Sequence, residues 1–168
     1  MASDAQVLYT VRSMRGDSRA GLDPDRLSQP VVVPISDTPR IYVLTEPYTY
    51  TWVKDGFVNL LTVPRRFKCD LASTPRIVWS ILGLLPDGLI RAAAVLHDFI
   101  YGHKGKLPHG SHRRKKVGGV VWEFVSEPWT RKQADKLFAR VMREAGVSKR
   151  RRRLAYLAVR VFGWTGWR

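Results

Sequence analysis

The sequence predicts an α+β fold, a small antiparallel β-sheet built on a hairpin at residues 48–63 and packed on a bundle of about four helices. Three observations predict it. Tyr48, Tyr50 and Trp52 alternate with Thr49, Thr51 and Val53, the two-residue period of a strand with one aromatic face. Lys54-Asp55-Gly56 supplies a turn whose glycine accepts positive φ, and Phe57 to Val63 returns as the partner strand. From Thr74 onward apolar residues recur at helical spacing, punctuated by capping residues and glycines.

Taken in order, residues 1–30 form an extended arm, with turn signals at Gly16-Asp17-Ser18 and Asp23-Pro24-Asp25 and no sustained period. Residues 31–168 form a single domain. Val31-Val32-Val33 and Ile41-Tyr42-Val43-Leu44 are short β-rich runs bounded by proline. Thr74-Pro75 reads as an N-cap with proline at the first helical position, and Ile77, Val78, Ile81 and Leu82 turn inward. A second helix runs from Leu89 to Tyr101 and stops at Gly102. Residues 103–129 form a basic loop insertion, although Val120, Trp122 and Phe124 alternate as a strand would. Thr130-Arg131-Lys132-Gln133 matches a capping box. It opens a third helix with Ala134, Leu137, Phe138, Val141 and Ala145 on one stripe, ended by Gly146. Ser148 caps a fourth, bearing Leu154, Leu157, Ala158 and Val161 and closed by Gly163.

The 168 residues suffice to bury a core without disulfides. One cysteine, Cys69, excludes a disulfide framework and a cysteine-rich zinc site. The longest apolar run, Ile77 to Leu85, falls far short of the ~20 residues that span a bilayer. No apolar leader opens the chain, so a cytoplasmic compartment is expected. Charge is the strongest signal: 29 Lys and Arg against 14 Asp and Glu, a net of +15. Residues 103–168 carry +14 of it, which points to an acidic partner for the C-terminal part.

Polar residues in apolar surroundings are the candidates for chemistry. Asp70 lies at a strand–helix joint, His97-Asp98 inside an apolar helix, Asp135 beside the stripe of the third helix, and Tyr156 and Arg160 on one face of the last. His97 and Asp98, with Asp70 and Asp135, form a candidate catalytic and divalent-metal set, as in phosphohydrolases whose ion activates a water. Such enzymes bring a second histidine from an earlier helix, and here none precedes His97. The competing reading is a buried network, His97 bonded to Asp70 or Asp135 and Asp98 paired with Arg76 or Arg131. Cys69 with His97 is a third option, a thiol and its base.

Lys149, Arg150, Arg151, Arg152 and Arg153 open a helix where the macrodipole disfavours cations, so a bound anion explains them better than helix stability does. With Arg113, Arg114, Lys115 and Lys116, and with Arg76 and Arg131 beside the polar set, they are the expected anion-binding residues. No base-reading motif accompanies them, so nucleic-acid contact would be backbone-directed and sequence-blind. Trp164 and Trp167 either anchor an interface or fold back on the core.

Four motifs in one order resemble a domain family of unknown function found mostly in tailed bacteriophages and prophages. They are Asp70-Leu71-Ala72-Ser73-Thr74-Pro75-Arg76, the run Arg91-Ala92-Ala93 to His97-Asp98 and Tyr101, Arg131 with Ala134-Asp135 and Phe138, and Tyr156 with Val159-Arg160 and Phe162-Gly163. The resemblance covers roughly residues 57–163, and the loop 103–129 is longer and more basic than the family's link. It implies that Asp70, His97, Asp98, Arg131 and Asp135 form one constellation, and it implies a phage origin near tail and late virion functions. The expected function is a virion-associated tail or baseplate accessory protein, assembled in the host cytoplasm, docking on acidic virion neighbours through its basic half. The alternative is a small metal-dependent hydrolase acting on a phosphoester or cell-wall substrate.

Overall fold

A computed structural model describes residues 27–37, 40–70 and 89–167. The expectation of one small hairpin sheet on about four helices is overturned. The chain forms two antiparallel sheets, of three and four strands, and three helices of 12 to 14 residues among the described residues. The helix expected from Thr74 lies outside the described residues.

The first sheet joins β1 (Val32–Asp37), β2 (Arg40–Leu44) and β5 (Lys68–Cys69) in the order β1-β2-β5. The β-rich runs supply β1 and β2, and Tyr42 pairs with Cys69 to add the third strand. Pro34 cannot donate to a ladder, and the register shifts between it and Ser36.

The second sheet is ordered β3 (Tyr48–Lys54), β4 (Phe57–Val63), β6 (His112–Lys116) and β7 (Glu123–Phe124). The hairpin turns through Asp55 and Gly56, with φ of 51° and 77°. Two positive φ values in a two-residue loop match the right-handed twist of the strands. The basic segment that was expected to be a loop is the next strand. Arg113 pairs with Leu60 and Arg114 with Asn59. Backbone pairing holds this strand between β4 and β7, and three of its cationic heads lie over aromatic rings. Arg114 covers Phe57 at 4.9 Å, and Lys115 and Arg113 cover Trp122 at 5.1 and 6.0 Å.

Register then sets a gradient along the sheet's inner face. Tyr50, Leu61 and His112 form one row in the core, Trp52, Asn59 and Arg114 the next, and Lys54, Phe57 and Lys116 the last, at the hairpin tip.

The helices are α1 (Arg91–Gly102), α2 (Arg131–Glu144) and α3 (Lys149–Phe162), followed by a helical turn at Trp164–Trp167. Every residue of α1 from Ala92 to Tyr101 is buried. It packs on β4, β5, α2 and the final turn, and α3 packs on α2. Complete burial of side chains such as Leu96, Phe99 and Ile100 stabilises by roughly 1.5–3 kcal/mol each. The capping box at α2 is present, with the Thr130 hydroxyl accepting from the Gln133 amide and the Gln133 side chain accepting from the Thr130 amide. Ser148 precedes α3 without a side-chain capping bond. Of the expected arm, residues 27–30 are tied to the domain: Ser28 accepts from the Tyr48 hydroxyl and Gln29 from the Ala92 amide.

Gly105 joins the two halves. Its φ is +76°, and a Cβ there would lie 2.0 Å from the Trp129 carbonyl oxygen, so only glycine fits. The Trp129 amide donates to Gly105 in return, which places Trp129 beside the start of β6.

Candidate functional site

Of the four residues expected to converge, two are seen in contact. His97 and Asp135 meet. Asp135, wholly buried on α2, accepts from His97 Nε2 at 3.0 Å and from the Tyr101 hydroxyl at 2.6 Å on Oδ1, and from Arg160 Nη1 at 2.9 Å on Oδ2. Arg131 joins one step out, donating to the Arg160 carbonyl. His97 and Tyr101, four residues apart on α1, stack with ring centroids 4.0 Å apart, and Phe138 packs on the same imidazole. Burial raises a carboxyl's pKa, but the bonds from His97, Tyr101 and Arg160 outweigh it and hold Asp135 below its ordinary value. The Tyr101 phenol is pushed well above its own, by burial first and then by its bond to Asp135.

Asp98 is one residue, and so about 100°, around α1 from His97. Its charge acts with that of Asp70 on Cys69. Burial, then Asp98 and Asp70, push the Cys69 thiol up to about 12, the reverse of what a thiolate nucleophile requires. Among the described residues no group of three or more His, Cys, Asp or Glu side chains is placed to hold a metal. Arg76 lies outside the described residues.

The chemistry on Asp135 is closed. Both oxygens are bonded, the charge is matched by Arg160, and Gly163 and Trp167 pack on Tyr101 from outside. A buried pair so satisfied holds helices together, and both the carboxylate and the imidazole (3 % exposed) are buried.

A second histidine sits in the opposite situation. His112 Nδ1 accepts from the Trp129 indole N–H at 3.3 Å, and Nε2 faces Asn59 Oδ1 at 3.3 Å. An indole N–H only donates, so Nδ1 carries no proton and the ring is neutral with its proton on Nε2. The Asn59 amide nitrogen donates to Phe57, which fixes the oxygen toward His112. Burial, then the Arg114 charge, lower the His112 pKa to about 4. The ring stacks on Trp52 at 5.7 Å and tilts against Trp129 at 5.2 Å.

This aromatic cluster floors an open cleft of about 840 Å³ between the hairpin tip and α2. Lys132, Lys136 and Arg140 rise at intervals of four residues along the α2 wall, and Lys54 and Arg114 stand on the sheet wall. Asp55 and Glu127 are the carboxylates that line it. Arg140 is engaged by Glu144 at 3.0 Å and by the Val53 carbonyl at 3.2 Å. The cleft escaped sequence reasoning because His112 stands inside a run of cations resembling a solvated loop. The alternation of His112 and Arg114 with Arg113 and Lys115 was the available signal.

The remaining expected anion-binding residues occupy separate elements. Arg113 to Lys116 lie in β6, and Lys149 to Arg153 open α3, where all but the half-buried Arg152 are exposed. Arg152 donates to the Val147 carbonyl. No described helix is long and apolar enough to cross a membrane.

A family model described as a protein of unknown function (DUF1353) matches residues 42–159. No curated protein and no solved structure matches the chain.

Proposed function

We propose that this chain, which belongs to the DUF1353 family, is a non-catalytic docking protein whose last long helix engages an acidic neighbouring protein. The carrying observation is the outer face of α3. Ala155, Ala158 and Val159 face inward, whereas Leu154, Leu157 and Val161 are 51, 56 and 59 % exposed and Trp164 beyond them is 46 % exposed. Arg150 and Arg153 precede them on the same side of the helix. A contiguous apolar strip of this kind on a folded domain marks an interaction surface. Its cationic first turn sits at the positive end of the helix macrodipole, where a partner's carboxylates relieve the repulsion. The sealed state of His97 and Asp135 supports a binding role over a hydrolytic one.

The motif resemblance supports a more specific version: a tailed-phage virion component, a tail or baseplate accessory assembled in the host cytoplasm. The test is incorporation into particles banded on a density gradient from cells expressing the chain with its native neighbours. Wild-type chain is expected in the band. Leu157→Asp and the double change Arg150→Glu/Arg153→Glu are expected to leave it while keeping the wild-type thermal midpoint. Particles that lack the wild-type chain, or that retain both variants, refute the reading.

A further inference from the structure

We propose that the cleft between the hairpin tip and α2 binds an extended single strand of nucleic acid, independently of the α3 surface. Two features of the cleft converge on that ligand class. The first is charge on both walls. Lys132, Lys136 and Arg140 are spaced by about 6 Å of helix rise per four residues, a ridge that an extended polyanion can follow. Lys54 and Arg114 face it from the sheet, each beside a carboxylate at 3.5 Å, Asp55 and Glu123. Lys132 and Lys136 are exposed, and neither has a carboxylate within salt-bridge distance among the described residues.

The second feature is the planar surface between the walls. Trp129 and Phe57 are half-buried and line the cleft, and the Arg114 guanidinium carbon lies over the Phe57 ring, 4.9 Å from its centroid. Indole, phenyl and guanidinium planes are the platforms on which unpaired bases stack, and their pairing with backbone-tracking lysines is the pattern of sequence-tolerant single-strand sites. The floor beneath holds its shape. His112, Asn59 and Trp129 spend their polar groups on one another and on the Phe57 carbonyl, so these three side chains are not free to read base edges. A volume of about 840 Å³ suits a short length of one strand and not a duplex. An acidic peptide is the poorer fit, because carboxylates are best held by free arginine forks. Here the unengaged cations are lysines.

The experiment is fluorescence anisotropy of labelled oligo(dT) over about 50–200 mM salt, since any chain of net +15 attracts polyanions and only position and salt slope identify a site. The cleft double variant Lys132→Glu/Lys136→Glu is expected to weaken binding by about tenfold or more and to lower the salt slope by about 1.4, at about 0.7 per lost single-strand phosphate contact. The control Lys68→Glu/Lys106→Glu changes charge by the same amount at exposed positions outside the cleft. It is expected to shift affinity by less than about threefold. Should charge reversal unfold the chain, Lys132→Gln/Lys136→Gln reads the same loss. Equal weakening by cleft and control variants overturns the proposal. So does undetectable oligo(dT) binding, or a poly-glutamate peptide of equal charge that competes as well as unlabelled oligo(dT). None of these outcomes depends on the α3 face.

Discussion

Two buried histidines on neighbouring elements are handled in opposite ways. His97 is set against a carboxylate that also holds an arginine and a phenol, so its surroundings are ionic and closed. His112 is set against an amide and an indole beside an arginine, so its surroundings are neutral in its own bonds and positive beyond them. The first arrangement binds α1, α2 and α3 into one unit. The second keeps an uncharged floor beneath a cationic cleft. The same side chain becomes a structural clamp or a neutral spacer according to whether its acceptor carries a charge.

The sharpest way to break this contrast is Asp135→Ala. It strands Arg160, Tyr101 and His97 without their common acceptor, and loss of one member of a buried ionic cluster costs about 3–5 kcal/mol. A large fall in the urea midpoint is expected. A change below about 1 kcal/mol would show that the network does not clamp the helices.

Acid titration separates the regions by pH window. The His112 pKa is lowered in the fold from 6.5 to about 4, so between these values the folded state binds fewer protons than the unfolded chain. Stability therefore rises with pH across that window and is lost on acidification, by about 2 kcal/mol once screening by cleft water is allowed for. Asp135 is also lowered, from 3.8, so its contribution is present above that value and fades only as pH falls further. Denaturation midpoints measured from pH 7 to pH 3 should show both phases. His112→Gln should flatten the upper phase and spare the lower.

A smaller effect is expected from Tyr101→Phe, which removes one donor to a charged acceptor that keeps two others, at about 1.5 kcal/mol. Thermal melts check it, and the upper acid phase should not move. The smallest is Thr130→Ala at the rim of the cleft. It removes the cap of α2 at a cost of about 1 kcal/mol and should leave the Asp135 region unchanged.

Local pattern made some of this legible. The hairpin, the α2 capping box and the helical stripe follow from nearest-neighbour spacing. The meeting of His97 with Asp135 was among the expected pairings because both are polar residues in apolar stretches. Asp98 was grouped with them because an imidazole and a carboxylate about 100° apart on a helix can still reach one ion. The three-stranded sheet and the extension of the hairpin were hidden for a different reason. His112 pairs opposite Leu61, and Cys69 opposite Tyr42, through registers set by distant chain. Trp129 reaches His112 only because Gly105 admits its carbonyl where any Cβ would collide, and a lone glycine in a basic stretch does not announce that. Arg160 was noticed beside Tyr156, but its partner across the helices was not deducible from spacing.

The order of the clamp's parts along the chain governs when it can close. Asp135 leaves the ribosome before Arg160, the residue that neutralises it, and before Gly163 and Trp167, which cover Tyr101. Until those segments emerge, α2 carries an uncompensated carboxylate on the side it must bury, which favours leaving it hydrated. The charge balance of the helical layer is therefore complete only once α3 has docked.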